Sequence, residues 1–515
     1  MLRPPHGPGV RGEAPQMRNL NWRSCAATLL TVAMAIAVAA CAKDKAATTP
    51  PAETGSGGGS AVDAAKLAET AGLIEVANID LGNGRFVSAR KRAEEALAAD
   101  PNNADAYAVL GAAQWRAGKY AASTEAYQKA VDLDPNNFGA NQGLGRNLQV
   151  AGQHEDAIKL QDKLIKLEDG ADDMQASPRF IKMWSHYALL DVDAGLKTAD
   201  QIFTGVGGEQ SQLNIVKAYA AYLRPLKGKG PLMEIQGDLG QTDLATGGQY
   251  KRSQVKVGGK STEALWMEIL DETRIDSKLA EKLHLEELAK VTPFGGEASG
   301  VVLIPSVTIG SLTVKNVPAI TQDLEASYAN EHGVPGIILG RQFLQRFASV
   351  TFDFPAGEAT LTKDAGPIAG EATQLLFLDL YAFKVPAVKV QIDRHEHSFW
   401  AWFGNSGVTS ATVTKKEYLK SGHRPNDVYP PDDEAGQKMV FLSEMNVGEV
   451  RTAGLGGIVL TANPPDATLG MVAGSGFELG GYLNFPLIKR WKVTYALPQG
   501  KLYIEAPPLP SAATE

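Results

Sequence analysis

Two hydrophobic rhythms divide the chain. Between residues 63 and 225 apolar positions return every three or four residues, the spacing of one helix face. Leu73, Val76, Phe86, Ala89, Ala93 and Ala96 form one such series, and Tyr107, Leu110, Tyr120, Tyr127 and Ala130 the next. Phe180, Trp184, Tyr187 and Leu190, then Leu213 to Leu223, prolong it. After Gly228-Lys-Gly-Pro231, a linker composition, the period shortens to two. Leu232 to Ile235, Tyr250 to Val257, Ala264 to Ile269, Thr313 to Val317, Val388 to Ile392 and Ser398 to Phe403 predict strands. Within this half the apolar run Ile337 to Leu339 stops at Gly340. Phe343, Leu344 and Phe347 then follow at helical spacing, and Val350 and Phe352 alternate as a strand. A strand that must turn at once into a helix, with glycine at the corner, predicts that another segment passes close to Gly340. Gly480 to Tyr495 echoes this pattern, and both copies run on into a glycine turn and a further strand. One terminal signature used twice implies two related domains.

Punctuation sharpens the helical half. Asp100-Pro-Asn-Asn and Asp134-Pro-Asn-Asn lie 34 residues apart, and Gly84, Gly118 and Gly152 keep the same interval. Proline ends a helix, and small residues such as Gly111, Ala130, Gly145 and Ala157 suit close helix crossings. The period and these positions resemble the tetratricopeptide repeat. The resemblance implies three repeats in residues 63–170, a helical cap or degenerate repeat in 171–228, and a concave groove for a protein or peptide partner.

The strand half resembles the retropepsin-like aspartic proteases. The apolar-apolar-Gly element at Leu339-Gly340 carries the likeness, together with the helix-like Ile275 to Leu285 and the glycine-rich Phe294 to Gly300 at the place of that family's flap. The implied fold class is multidomain, α plus all-β: a helical repeat array, then two pepsin-like β-barrel domains at 229–366 and 367–508. The family's chemistry needs two carboxylates sharing a proton, one from an Asp-Thr/Ser-Gly loop in each domain. Counting back without gaps from Leu279-Ala280 puts the first loop at Met267-Glu268-Ile269, which has neither the Asp nor the Gly. A gapped placement offers Asp271, which reads otherwise as a solvated acid at a helix start. In the second domain Trp402 to Thr414 fits the pattern, with Asn405 at the Asp position. An amide has no useful basicity but keeps a loop's hydrogen bonds. Met267 and Asn405 therefore read as a degenerate dyad. By the same resemblance Gly295, Gly296, Ser406 and Gly407 line a peptide-binding cleft.

Charge and the first residues complete the picture. The net charge of −8, with no basic cluster among aromatics, disfavours nucleic acid as a partner. The two cysteines, Cys25 and Cys41, make no disulfide framework. Arg18 and Arg23 precede an apolar run from Ala26 to Ala40 that ends Val-Ala-Ala-Cys41. That run is short for a membrane span and fits a signal peptide over 1–40. The ending resembles the lipobox of bacterial lipoproteins, which implies a lipid on Cys41, a flexible tether over 41–62 and a periplasm-facing envelope location. Ala42, where enterobacterial lipoproteins kept at the inner membrane have Asp, favours the outer membrane. Met17 gives the better signal length than Met1. His395-Glu-His397 sits between two expected strands and reads as a polar turn. No cofactor or metal is expected. The combined expectation is an envelope lipoprotein that binds a peptide or protein through its array and a silent protease-like pair of domains. The alternatives are an active aspartic endopeptidase and an assembly factor acting through the array alone.

Overall fold

The computed structural model describes residues 61–167, 176–206, 210–245, 250–292, 298–328, 333–380, 383–393, 395–403, 410–423, 437–460 and 477–507. Cys41, Gly295, Gly296, Asn405, Ser406 and Gly407 lie outside the described residues.

The helical half opens with α1 (Ala61–Gly82), α2 (Phe86–Ala99), α3 (Ala104–Arg116), α4 (Tyr120–Leu133), α5 (Phe138–Val150) and α6 (His154–Leu167). The repeated tetrapeptide writes its own corner. Asp100 and Asp134 end α2 and α4, and their carboxylates accept the backbone N–H of Asn102 and Asn136 at 3.2 and 2.9 Å. The second asparagine of each motif caps the next helix: Asn103 accepts from Ala106 N at 3.0 Å, and Asn137 from Ala140 N at 2.9 Å. Inside each repeat the turn is made by glycine in the left-handed region, with φ of 73°, 70° and 76° at Gly84, Gly118 and Gly152. Tyr127 fills the crossing between repeats: its ring lies where a Cβ on Gly111 would come within 2.7 Å, and it crowds Gly143 as well. Helices α7 (Ala176–Leu189), α8 (Val192–Gln201) and α9 (Gln210–Leu223) continue the array. Tyr187 and Tyr219 stack there at 3.8 Å.

The strand half contains β1 (Glu234–Gln236), β2 (Leu239–Ala245), β3 (Arg252–Val257), β4 (Lys260–Met267), β5 (Thr273–Asp276), α10 (Ser277–Lys282), β6 (Glu287–Val291), β7 (Ser299–Ile309), β8 (Leu312–Gln322), α11 (Leu324–Tyr328), β9 (Ile337–Gly340), α12 (Arg341–Leu344), β10 (Ser349–Asp353) and β11 (Glu358–Thr362). A second set follows: β12 (Glu371–Leu380), β13 (Phe383–Ile392), β14 (Ser398–Phe403), β15 (Ala411–Thr414), α13 (Lys415–Lys420), β16 (Gln437–Val447), β17 (Val450–Leu460), β18 (Leu479–Asn484), α14 (Phe485–Ile488), β19 (Lys492–Ala496) and β20 (Lys501–Glu505).

The duplication implied by the sequence echo is a duplication of pairing. In the first set β9 lies parallel to β4 and antiparallel to β5, while β5 runs parallel to β8. In the second set β18 lies parallel to β14 and antiparallel to β15, while β15 runs parallel to β17. The two sets join through one antiparallel sheet in the order β2-β11-β10-β19-β20-β12. Its centre pairs Thr351 with Thr494, whose hydroxyl oxygens lie 2.8 Å apart. Two expectations shift here. The strand expected to run to Ile269 stops at Met267, because the chain turns there into the loop before β5. Strand β2, a segment not named among the expected strands, is held by β11 and β3.

The array is not held apart from the strands: both belong to one compact unit, Gly59–Glu515. Trp115, Tyr120, Val150 and Ala151 pack with Leu376, Phe399, Phe477 and Leu479 in a shared apolar cluster. Gly118, already in a left-handed turn, has the Glu478 carbonyl oxygen where its Cβ would be. Helices α7 to α9 lean on the first set, where the Gln342 side chain donates to the Tyr187 carbonyl at 2.7 Å and Arg346 to that of Leu189 at 2.5 Å.

Candidate functional site

The loop between β4 and β5 is where the sequence places the first half of a dyad. It spans residues 268–272, two residues fewer than the 404–410 separation between β14 and β15. Met267 ends β4 opposite Gly340 just as Phe403 ends β14 opposite Asn484, so the pairing matches Met267 with Phe403, two residues before Asn405, and corrects the count that set Met267 at the dyad position. The Met267 side chain is buried in a small apolar cluster with Leu265, Leu270, Leu324 and Ile338.

The loop's carboxylates are all engaged. Glu268 is 1% exposed. Lys251 reaches it at 2.5 Å and the Tyr495 hydroxyl donates to its other oxygen at 2.9 Å. Trp402 in turn donates its indole N–H to the Tyr495 oxygen at 2.7 Å. Burial pushes the Lys251 ammonium down, opposed by the charge of Glu268, and burial pushes the Tyr495 phenol well up. This chain of donors crosses from the first strand set to the second.

Asp271 is not the solvated helix-start acid expected. It is 3% exposed and ion-paired with Arg341, which lies 4.8 Å from the Phe377 ring centroid. The helix start belongs to Asp276, whose carboxylate accepts from Leu279 N at 3.1 Å. The correction has a physical cause: Arg341 follows Gly340 directly, and the absent Cβ lets the 271–272 backbone run against that corner. Glu272, pushed up chiefly by burial, accepts from the Tyr187 hydroxyl.

Asp271 and Arg341 also line a cavity of about 10 Å³ where the array and both strand sets meet, room for about one water molecule. Gln149, His154, Trp184, Tyr219, Phe377 and Lys384 are also part of its wall. Burial lowers His154 to about 3, helped by the charges of Arg341 and Lys384. Burial lowers Lys384 to about 7 against the opposing charge of Asp271. The unfolded chain holds protons on both groups that the folded chain does not, so stability rises with pH across each window. For His154 it is lost as pH falls from the ordinary imidazole value toward 3. For Lys384 it grows from about 7 toward the ordinary ammonium value, by up to roughly 1.4 kcal/mol per pH unit. The melting temperature is therefore expected to rise from neutral to mildly alkaline pH. Lys384→Met should flatten that slope, and an unchanged slope would contradict the assignment.

The remaining sequence candidates separate. Glu396, in the expected polar turn, pairs with Lys119 of the array at 2.6 Å, and His397 is lowered chiefly by burial. Among the described residues no group of three His, Cys, Asp or Glu side chains is placed to hold a metal ion.

A larger opening of about 640 Å³ lies on the inner face of the array. Helices α1, α3, α5 and α7 line it. Its small lining residues are Ala108, Ala112, Gly139 and Gly143, and its polar groups include Asn78, Arg116, Gln142 and Arg146. Sequence reading missed Arg116 and Arg146. Arg116 ends α3 and Arg146 lies about one turn before the end of α5, and only packing brings them to one groove.

Comparison with known proteins agrees with the helical half. The tetratricopeptide repeat family matches residues 77–138, a protein-interaction scaffold. No curated protein sequence matches the chain. Among solved structures, an O-GlcNAc transferase of Thermobaculum terrenum is 21% identical over 26% of this chain and 25% of its own, with a TM-score of 0.24. The chain thus spans a quarter of that relative's length. A tetratricopeptide repeat protein of Parabacteroides merdae is 18% identical over 30% of this chain and 60% of its own, TM-score 0.26. A retropepsin-like aspartic protease of Rickettsia conorii is 16% identical over 26% of this chain and 96% of its own, TM-score 0.20.

Proposed function

We propose that this chain captures a polypeptide in the groove of its helical array, with the two strand sets as a rigid platform that does not cut it. The observation that carries this reading is the saturation of the β4–β5 loop. Water activation by paired carboxylates needs one accessible and basic group beside another that shares its proton. Glu268 is closed in by Lys251 and Tyr495, and Asp271 is closed in by Arg341. The groove, by contrast, is open and lined by side chains able to pair with a peptide backbone. The purified protein is expected to show no pepstatin-sensitive cleavage of unfolded protein at acid or neutral pH. Asn405→Asp should fold and remain inactive, since one carboxylate cannot play both roles. Cleavage by the unaltered protein, lost on Asp271→Asn, would establish an aspartic endopeptidase instead.

The location proposed with this function is the outer membrane of a bacterial envelope, through a lipid on Cys41. Cys41→Ser is expected to abolish metabolic lipid labelling and to move the protein from the membrane to the soluble or unprocessed fraction. Unchanged labelling and fractionation would rule the anchor out.

A further inference from the structure

We propose that the small cavity where the array meets both strand sets is a binding site for one monovalent anion, a halide. The inference is independent of the groove and of what the groove holds. The wall gathers Gln149 from α5, His154 from the start of α6, Trp184 from α7, Asp271 from the β4–β5 loop, Arg341 from α12 and Lys384 from β13. Its volume of about 10 Å³ suits a single ion about the size of a water molecule. A polyatomic anion needs more room.

Three nitrogen-bearing groups of this wall have hydrogen-bonding capacity to spare. Trp184 Nε1, Arg341 Nε and His154 Nδ1 are buried and meet no hydrogen-bond partner among the described residues. Indole and guanidinium nitrogens only donate, so those two call for an acceptor. A neutral imidazole carries one N–H, and with the proton on Nδ1 it donates as well. Gln149 Oε1 is buried and unpartnered too, and a half turn of the amide brings its NH2 end round in its place.

The sign of the local field favours an anion as the shared acceptor. Besides burial, the charges that hold His154 below the ordinary imidazole value are both cations, Arg341 and Lys384. The Lys384 ammonium stands 5.4 Å from the Trp184 ring centroid, so its charge also lies beside the indole. The carboxylate in the wall, that of Asp271, is ion-paired with Arg341. A desolvated, cation-rich site is costly unless an anion joins it. A water molecule has two lone pairs and no net charge; a halide accepts from all three N–H groups and answers the field. An ion held there ties three helices of the array to both strand sets.

Bromide tests this on the purified protein, because its anomalous scattering tells it from water. Crystals grown in sodium bromide are expected to show an anomalous peak inside the cavity, within hydrogen-bonding reach of Trp184 Nε1 or Arg341 Nε. In solution the melting temperature should rise with sodium chloride relative to sodium gluconate at equal ionic strength, since an ion bound only by the folded chain stabilises it. Trp184→Phe keeps a ring beside Lys384 and removes one donor. In that variant the rise should set in at a chloride concentration about tenfold higher. Ordered density without an anomalous peak would identify water and overturn the proposal. A bromide peak with the same chloride response in both proteins would mean binding at crystal concentration only, and overturns it too. The crystallographic result stands whether or not the variant folds.

Discussion

Lys251→Met and Glu268→Gln are each expected to cost about 3–5 kcal/mol of stability, because either change leaves one charge buried without its partner. Both side chains are 1% exposed, so water cannot replace the lost member. The double variant is expected to recover most of the loss. The amide oxygen of Gln still accepts from Tyr495, and no ion then remains to be desolvated. Urea unfolding of the four proteins at neutral pH measures the coupling. Losses that simply add in the double variant would mean that the two groups do not act as a pair. The result bears on function as well as stability. A Glu268 that was a catalytic base would lose activity in the double variant, whereas the structural pair described here predicts unchanged peptide capture.

The second large effect is expected at Gly340. A Cβ there would strike the backbone carbonyls of Glu272 and Asp271 rather than the far end of a flexible side chain. The loop cannot retreat without losing two hydrogen bonds, Arg341 N to the Leu270 oxygen at 2.7 Å and Gln342 N to that of Asp271 at 2.9 Å. Gly340→Ala should therefore cost about 3 kcal/mol or more. Gly72→Ala is the control: it lies in α1 with nothing within 4 Å of a new Cβ. That change should stabilise by about 0.5–1 kcal/mol through helix propensity. The same thermal shift in both variants, or no shift at Gly340, would mean that the close passage is misplaced.

The glycine corner shows what is legible in a sequence. An apolar run stopped by glycine and followed at once by helical spacing announces a backbone that needs space, and Gly340 has it. The 34-residue recurrence was legible for a similar reason. Asp134 and Asn137 cap the helices through bonds to residues two or three positions away, and Pro135 cannot continue a helix because it has no N–H. Hydrophobic periods of 3.6 and 2 likewise assign helix and strand from neighbours alone. Strand β2 was missed, and the partner that pairs with most of its length, β11, is distant in the chain.

The sequence by itself therefore determined the helical repeats, the change to strands and the twofold echo. Only the tertiary structure decided what the loop's charges do. Asp271 meets Arg341 70 residues on, and Glu268 meets Tyr495 227 residues on. Likewise Lys384 and His154 are desolvated by elements from three parts of the chain, and Arg146 lines its groove on the strength of packing between repeats. Burial and pairing of charges depend on which distant segment closes over them, and no local period carries that information.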